Sequence, residues 1–522
     1  MKPARAVIFA ALFLLGFAPI VRAQDVTLLS PDGEVEISGT LLGFDGEFYR
    51  VDTVYGELTV DGSGVRCEGP ACPNLEDYIA ELGISGETSV GSVLMPALIQ
   101  SFAQRSGLSV RREKLTEDRT RFHLTNRVTQ KVTGIFTVHA TNTDEGFADL
   151  LANEADIVMS MREIRENEAR LAREAGLGNL KGIGRSRVLA LDALVPIVAP
   201  GNVLASLTTA QLSKVFSGKI QNWKQLGGPD APITVHLRDG QSGLGQAAVD
   251  QLLAPVGENL TDMAQTHSNN QTLINAVVAD PFGIGVSRES ETGEARAIPL
   301  SGDCGFILTA ERKTVKTEDY PLTAPIFLYL PARRLPKLAR DFLMFTRSTP
   351  AQLVVRRAGY TDQAPELVPV DVQGNRFANA IAQAGDEISL EDLKRMVGVL
   401  APMKRLTTTF RFEAGSVRLD AQSRSNVGQL AQAIEAGQYD AQRLLFVGFS
   451  DGKGLAKPNL SIALKRAEAV RDAVLNAAET ANFERLELDV DAFGEAMPMA
   501  CDDSAWGRQV NRRVEVWVQP SK

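Results

Sequence analysis

Hydrophobic and polar positions change rhythm twice along this chain. Between residues 25 and 66 they alternate in short runs: Val26-Thr27-Leu28-Leu29, Val35-Glu36-Ile37, Phe48-Tyr49-Arg50-Val51 and Leu58-Thr59-Val60. Pro31-Asp32-Gly33, Phe44-Asp45-Gly46 and Asp61-Gly62 punctuate them. A period of two bounded by turn residues predicts a small antiparallel β unit, expected to be a barrel closed by the Cys67–Cys72 loop. From Leu75 the pattern becomes strands alternating with helices, the signature of α/β architecture. Leu94, Leu98 and Phe102 share one helix face, after an opening turn Gly86-Glu87-Thr88-Ser89-Val90-Gly91-Ser92. The strand Phe136–Ala140 runs through Thr141-Asn142-Thr143-Asp144-Glu145-Gly146 into a helix from Phe147 to Asn153, and Ala155–Arg162 reads as a further strand.

Beyond Gly359 the rhythm is mixed. Val368-Pro369-Val370, a turn at Gly374 and the capping signal Ser389-Leu390-Glu391-Asp392 before a helix to Leu400 predict a partly structured passage. Strand Thr408–Phe412 opens a last domain. It continues as a helix with Val427, Leu430, Ala431 and Ile434 on one face, strand Leu444–Gly448, and a helix bearing Ala463, Arg466, Ala467 and Val470. Strands Leu486–Phe493 and Arg513–Val518 complete it.

Composition bounds the reading. At 522 residues, three or four domains are expected. Lys2 and Arg5, an apolar core Ala6–Val21 and the small-residue site Val21-Arg22-Ala23 read as a cleaved secretory signal. Removing Lys2, Arg5 and Arg22 takes the formal net charge from −9 to −12, which argues against nucleic acid as a partner. Four cysteines suit an oxidising compartment. Cys67 and Cys72, in Cys-Glu-Gly-Pro-Ala-Cys, are close enough for a local disulfide, whereas Cys304 and Cys501 are left open between pairing and remaining free. Residues 25–66 suggest no chemistry, and an interaction or spacer role is the default for them.

The most informative stretch is Arg238-Asp239-Gly240-Gln241-Ser242-Gly243-Leu244-Gly245, between the extended run Ile233–Leu237 and the helical pattern Gln246–Leu253. Strand, glycine-rich turn and helix together aim backbone N–H groups and a helix dipole at one place. Ser242 can add a hydroxyl and Arg238 a five-donor guanidinium, a set suited to a small oxyanion. The plainer alternative is that Ser242 caps a helix and the glycines relax the turn. Thr88, Ser89 and Ser92 form a second hydroxyl-rich helix start, where ordinary capping is the competing reading.

Further motifs carry a resemblance. Leu191–Val198, the run Leu207-Thr208 through Val215-Phe216-Ser217-Gly218-Lys219-Ile220-Gln221-Asn222-Trp223, the Arg238–Gly243 loop, Asp280–Gly285 and Tyr320-Pro321-Leu322 through Phe327-Leu328-Tyr329 are together similar to periplasmic phosphate-binding proteins over about residues 79 to 365. The resemblance implies two α/β lobes joined by crossing strands and closing over one oxyanion. It places Thr88 or Ser89 and Thr143 on one side, and Arg238, Ser242 and Gly243 on the other. Two departures stand out: Leu244 replaces a hydroxyl residue, and Met161 aligns with the aspartate that accepts the proton of hydrogen phosphate. The loss of that acceptor weakens discrimination between phosphate and sulfate.

At the other end Asp451, Gly454, Asn459, Arg466-Ala467, Gly494, Pro498 and Asn511-Arg512-Arg513-Val514-Glu515 resemble the OmpA-type peptidoglycan-binding domain over residues 405 to 519. That resemblance implies that Asp451 and Arg466 hold the ammonium and carboxylate of the diaminopimelate side chain. Asn459 is a further candidate in the same motif, with a turn-shaping role as the alternative. Phe449 and Ser450 depart from the usual His-Thr.

The expected architecture is therefore multidomain α/β. A signal peptide (1–23) precedes a small N-terminal β module (24–74), a two-lobed periplasmic-binding-protein domain (75–365), a linker with a helix (366–404) and a C-terminal βαβαββ OmpA-like domain (405–522). The expected function is an exported, wall-attached binding protein in the periplasm for phosphate or a similar oxyanion. Its expected partners are that anion, peptidoglycan and, as one candidate recipient, an ABC importer. A structural envelope protein whose lobes no longer bind a small anion is the alternative, to be favoured if side chains such as Met161 or Leu244 fill the cleft. Catalysis is not expected, because Leu244 breaks the Gly-x-Ser-x-Gly elbow that a hydrolase needs at Gly240–Leu244. His123, His139, His236 and His267 lack metal-ligand spacing, and no metal or cofactor is expected.

Overall fold

The computed structural model describes residues 25–521 apart from Glu76, Ile183, Asp303, Gly305, Asp386, Ala414 and Gly415. The expected signal segment Met1–Ala23 lies outside the described residues. Strands β1 (Val26–Leu29), β2 (Glu36–Phe44), β3 (Phe48–Thr53), β4 (Gly56–Asp61) and β5 (Arg66–Glu68) form one antiparallel sheet in the order β4-β3-β2-β1-β5. Alternation buries Val26, Leu28, Tyr49 and Val51 on its inner face. The expected barrel closure is not made: β4 and β5 remain the two edges. Nearly every residue of β4 is exposed, so that strand has no apolar face to carry it around the core. The Cys67–Cys72 disulfide is present, with Cα atoms 5.8 Å apart. Arg340 anchors the sheet to its neighbour by gripping Asp45 at 2.7 Å and Glu47 at 2.5 Å.

The next unit is two α/β lobes on one eleven-stranded sheet. The first lobe holds β6 (Ala80–Glu87), α1 (Met95–Arg105), β7 (Leu108–Lys114), β8 (Arg119–Asn126), β9 (Val132–Thr141), α2 (Thr143–Leu151) and β10 (Ile157–Ser160). Strand β11 (Ser186–Val198) then crosses to the second lobe. That lobe contains β12 (Leu207–Thr208), β13 (Thr234–Arg238), α3 (Gly243–Ala248), β14 (Gln265–His267), β15 (Gly283–Arg288), β16 (Arg296–Ala297), β17 (Leu300–Ser301) and β18 (Ile307–Leu308). Strand β19 (Thr323–Tyr329) crosses back. The main order is β14-β13-β15-β11-β19-β10-β6-β9-β8-β7, with β16 beside β11.

Strand β11 is the structural seam. Its residues Ser186–Ala193 pair with β19, and Leu194–Val198 pair with β15. Everything from Val188 onward is buried, as the unbroken apolar run requires of a strand covered on both faces. In the first lobe Phe102, Phe136 and Phe342 meet edge-on at 5.5–5.6 Å. Burying a side chain of that size stabilises by roughly 1.5–3 kcal/mol.

The C-terminal sheet adds β20 (Leu367–Val368), β21 (Lys404–Arg411), β22 (Gln442–Phe449), β23 (Glu487–Gly494) and β24 (Arg513–Pro520), in the order β20-β21-β24-β22-β23. Helices α4 (Ala421–Glu435) and α5 (Ala456–Ala477) cover one face through Leu430, Ile434, Ala467 and Val470. Residues 366–404, expected as a linker, cover the other. Leu393, Met396 and Leu400 pack with Leu445, Val447 and Trp517 in one buried cluster.

This unit is docked onto the lobes rather than tethered beside them. Cys304 and Cys501 form a disulfide across the boundary. Arg405 donates to Asp319 at 2.9 Å, Arg411 to the carbonyl of Glu318 at 2.6 Å, and the Val188 amide to Ser425 Oγ at 3.1 Å. Among the described residues no helix is long and apolar enough to cross a membrane.

Candidate functional site

Two regions collect the residues singled out by the sequence. The first lies between the lobes, where β6, α2 and β10 of one side face β13, α3 and β15 of the other. Gly86 lets β6 lie against β10: its φ is +131°, and a Cβ there would sit 2.1 Å from the Met159 carbonyl oxygen. The chain then turns at Glu87. Thr88 is exposed and its hydroxyl donates to the Thr141 carbonyl. Ser89 is half-buried and makes no side-chain capping bond. Thr143 is buried at the start of α2, its hydroxyl oxygen accepting from the Met161 amide at 3.2 Å.

From the second lobe, Ser242 caps α3. It accepts from Gly245 N at 3.0 Å and donates to the Asp239 carbonyl at 2.7 Å. Arg238 is half-buried and engaged by its own lobe, donating to the His267 carbonyl at 3.1 Å and to Asn270 Oδ1 at 2.7 Å. Burial pulls its pKa below the ordinary arginine value. The two sets of turns meet, because Gly243 packs against Glu87: a Cβ on Gly243 would lie 2.6 Å from Glu87 Cγ.

Between them lies a pair that the sequence reading passed over. Glu87 and Arg288, 2% and 0% exposed in their side chains, form an ion pair from lobe to lobe. Glu87 Oε2 also accepts from the Val90 amide at 2.9 Å. Arg288 Nη2 lies 3.1 Å from Met161 Sδ, while its Nε and Nη1 find no partner among the described residues. Burial alone would lower the Arg288 pKa, but the Glu87 and Asp192 carboxylates drive it above the ordinary value. Asp192, on the crossing strand, accepts from Ser290 Oγ at 2.7 Å. Burial pushes its pKa up to about 6 despite Arg288.

Met161 and Leu244 are each 1% exposed and belong to one buried cluster with Phe147 of α2. Met161 also lines an open cavity with Arg165 and Asp250, so its burial in the core does not by itself fill the cleft. The mouth is bridged by Arg165 to Asp250 at 3.0 Å and Gln246 to Asn142 at 3.4 Å. The signal for Glu87 was its place as the lone acid in a hydroxyl-rich turn.

The second region lies at the end of β22. Asp451 is buried and pairs with Arg512 at 2.5 Å. Arg466, on α5, is 4% exposed and lies 5.1 Å over the Phe412 ring. One Nη donates to the Ser416 carbonyl at 3.4 Å, and Nε is buried with no partner among the described residues. Burial and the neighbouring Arg512 lower its pKa, while Asp451 opposes them. The Ser450 hydroxyl is likewise buried and unmatched. Asn459 donates to Glu495 at 2.7 Å, which fixes a loop rather than presenting its amide to a ligand. Glu495, with Asp451 and Asp502 nearby, has its pKa raised, first by burial. Acidic and basic groups are therefore interleaved here, with Asp451 held by Arg512 and Arg466 close to both.

Two lobes joined by crossing strands, with polar turns from both meeting at the seam, define the two-lobed fold of periplasmic binding proteins. The C-terminal unit is a separate βα sandwich. The family model described as the PBP superfamily domain matches residues 79–349, more than half of the chain, and the protein belongs to that family. The OmpA family model matches residues 411–512. Protein SphX of Synechococcus elongatus is 26% identical over 282 residues, 50% of this chain and 80% of its own length. The phosphate-binding protein PstS of Bacillus subtilis is 29% identical over 192 residues, 36% of this chain and 61% of that protein, so the match spans less than two thirds of it. Among solved structures, an ABC-type phosphate transport receptor from Vibrio cholerae aligns at 21% identity and TM-score 0.42, covering 53% of this chain and 98% of its own. The peptidoglycan-associated lipoprotein of Burkholderia pseudomallei aligns at 25% identity and TM-score 0.19, covering 21% and 89%.

Proposed function

We propose that this is an exported envelope protein, attached to the cell wall through its OmpA-like domain, whose lobes take a tetrahedral oxyanion of the phosphate class. One observation supports both halves. Among the described residues, each candidate region presents a buried guanidinium with unmatched N–H groups, Nε and Nη1 of Arg288 in the cleft and Nε of Arg466 at the end of β22. Buried donors without acceptors cost about 1–3 kcal/mol each, so an anionic ligand recovers that loss on binding. At the end of β22 the Asp451 carboxylate, shared with Arg512, and the Arg466 guanidinium suit the ammonium and carboxylate of a diaminopimelate side chain. That zwitterion needs one acceptor and one forked donor at fixed separation.

In the cleft, Arg238, Ser242, Gly243, Thr143, Ser89 and Thr88 remain the proposed anion shell, with binding rather than catalysis as the outcome. An ABC importer is one recipient consistent with the relatives' names, and retention of phosphate at the wall is another. Calorimetry of the purified chain with inorganic phosphate tests the reading: heat should appear in the wild type and be lost in Arg238→Ala. A second reading, lobes that bind no small anion, is favoured by the Glu87–Arg288 pair, which occupies the seam between the lobes. A phosphate titration without heat, in a folded wild type and in every cleft variant, would establish it.

A further inference from the structure

Resting on the oxyanion reading, we propose that Glu87 is the resident ligand of the inter-lobe cradle, and that an oxyanion enters only by displacing its carboxylate from Arg288. The position of Glu87 is that of a ligand rather than a wall. One oxygen takes the Val90 amide at 2.9 Å from the first lobe, and the other meets the guanidinium of the second. Its stem presses on Gly243 of the anion loop, where a Cβ would come within 2.6 Å of it. The side chain thus stands where two turns that the sequence nominates for an anion, Gly86–Ser92 and Arg238–Gly245, meet the Arg288 guanidinium.

The match is incomplete in a telling way. A carboxylate has two oxygens, and both are engaged. Among the described residues Arg288 still keeps Nε and Nη1 without acceptors, at 0% side-chain exposure. A tetrahedral oxyanion, with four oxygens, offers acceptors in the directions that a carboxylate leaves empty. Charge bars the two from sharing the place. Arg288 interacts with the carboxylates of Glu87, Asp192 and Glu291, and Arg238 with those of Glu87, Asp239 and Glu291. Two guanidinium groups are already outnumbered by acids, so a further dianion is repelled until one carboxylate leaves. Glu87 is the one able to go, because it ends a strand and precedes an exposed threonine.

The test is phosphate and sulfate calorimetry on the full chain, comparing wild type, E87S, E87Q and the double variant E87S/R288M. Displacement predicts that E87S and E87Q bind inorganic phosphate about tenfold or more tightly than wild type, equivalent to about 1.4 kcal/mol, and that E87S/R288M loses the gain. Because E87S leaves a buried guanidinium unpaired, its thermal unfolding is followed alongside. A midpoint lowered without phosphate and restored by it also supports the proposal. Equal affinities in wild type and both single variants overturn the inference and leave the oxyanion reading standing. Weaker binding in both does the same, and makes Glu87 a contact that accepts the ligand's proton. Variants that stay unfolded at every phosphate concentration also count against displacement. If phosphate binds to none of the folded proteins, the oxyanion reading itself falls.

Discussion

Replacing Arg466 by alanine is the sharpest probe of wall attachment. The side chain is 4% exposed on α5 and stacked 5.1 Å over Phe412; among the described residues Nε is unmatched and one long bond reaches the Ser416 carbonyl. Little of its hydrogen-bonding capacity is spent inside the protein, so truncation costs mainly what a ligand would use. Two charge-assisted bonds to a peptide carboxylate at the lower value of about 1.5 kcal/mol each sum to about 3 kcal/mol. That is an affinity loss of about 150-fold. Arg466→Lys keeps the charge but not the planar fork, and should fall between wild type and alanine. Calorimetry with a diaminopimelate-containing stem peptide gives the ratio, and co-sedimentation with purified sacculi shows whether it governs attachment. Thermal unfolding guards against a collapsed site, since the cation–π contact with Phe412 is lost too. An alanine variant that is folded and binds within threefold of wild type refutes the assignment.

Two further predictions concern the buried charges beneath the docked domain. Glu318 has its pKa raised to about 8, first by burial and further by Asp420 and Asp319, with Arg411 opposing. The folded state therefore keeps a proton that the unfolded chain releases near the ordinary carboxylate value, and stability falls as pH rises from about 4.5 to about 8. Glu318→Gln should remove that decline, raising the unfolding midpoint at pH 9 and leaving it nearly unchanged at pH 5; equal shifts at both would exclude this origin. Glu515 is fully buried against Arg513 at 2.7 Å and Arg376 at 2.5 Å, and its pKa is driven far down by guanidinium groups that overcome burial. Its stabilisation is complete above the ordinary carboxylate range and is lost as pH falls below it. Glu515→Gln should cost about 3–5 kcal/mol at neutral pH, read by denaturant unfolding, since it also removes the acceptor of the Trp517 indole at 3.1 Å.

Local rules reached far into this fold. Leu94, Leu98 and Phe102 are all buried along the helical run they predicted, and Phe136 and Val138 are buried in β9. Ser242 does cap a helix, so the plain reading of that octet is correct as local structure. Local rules stop at pairings distant in sequence. Glu87 and Arg288 are 201 residues apart, and in isolation each looks like a polar residue at a strand end. Cys304 and Cys501 are separated by 197 residues, with no spacing motif to join them. The passage 366–404 showed a cap and helical periodicity. The face it covers, bearing Leu445, Val447 and Trp517, belongs to strands whose other side already had helices predicted for it. The β module shows the reverse error, because a period of two announces strands and says nothing about whether the sheet closes.

The docked domain bears on how the lobes can be shut over a side chain rather than a ligand. In a two-lobed protein, closure is ordinarily driven by differential contacts that only the bound ligand supplies. Here the C-terminal unit touches both sides of the seam. The Ala421 amide donates to Glu163 of the first lobe at 3.0 Å, while Cys304 of the second lobe is covalently joined to Cys501. The Ser425 hydroxyl meets Val188, on the strand that crosses between the lobes. Opening the cleft while the disulfide holds must therefore break one set of contacts or carry the whole C-terminal domain along. Arg405–Asp319, with both side chains nearly buried, makes the second lobe the side to which that domain stays fixed. The weaker grip is on Glu163, a carboxylate whose pKa is raised, first by burial. Separation should begin there, with the first lobe swinging away from Ala421 and Glu87 withdrawing from Arg288 in the same movement.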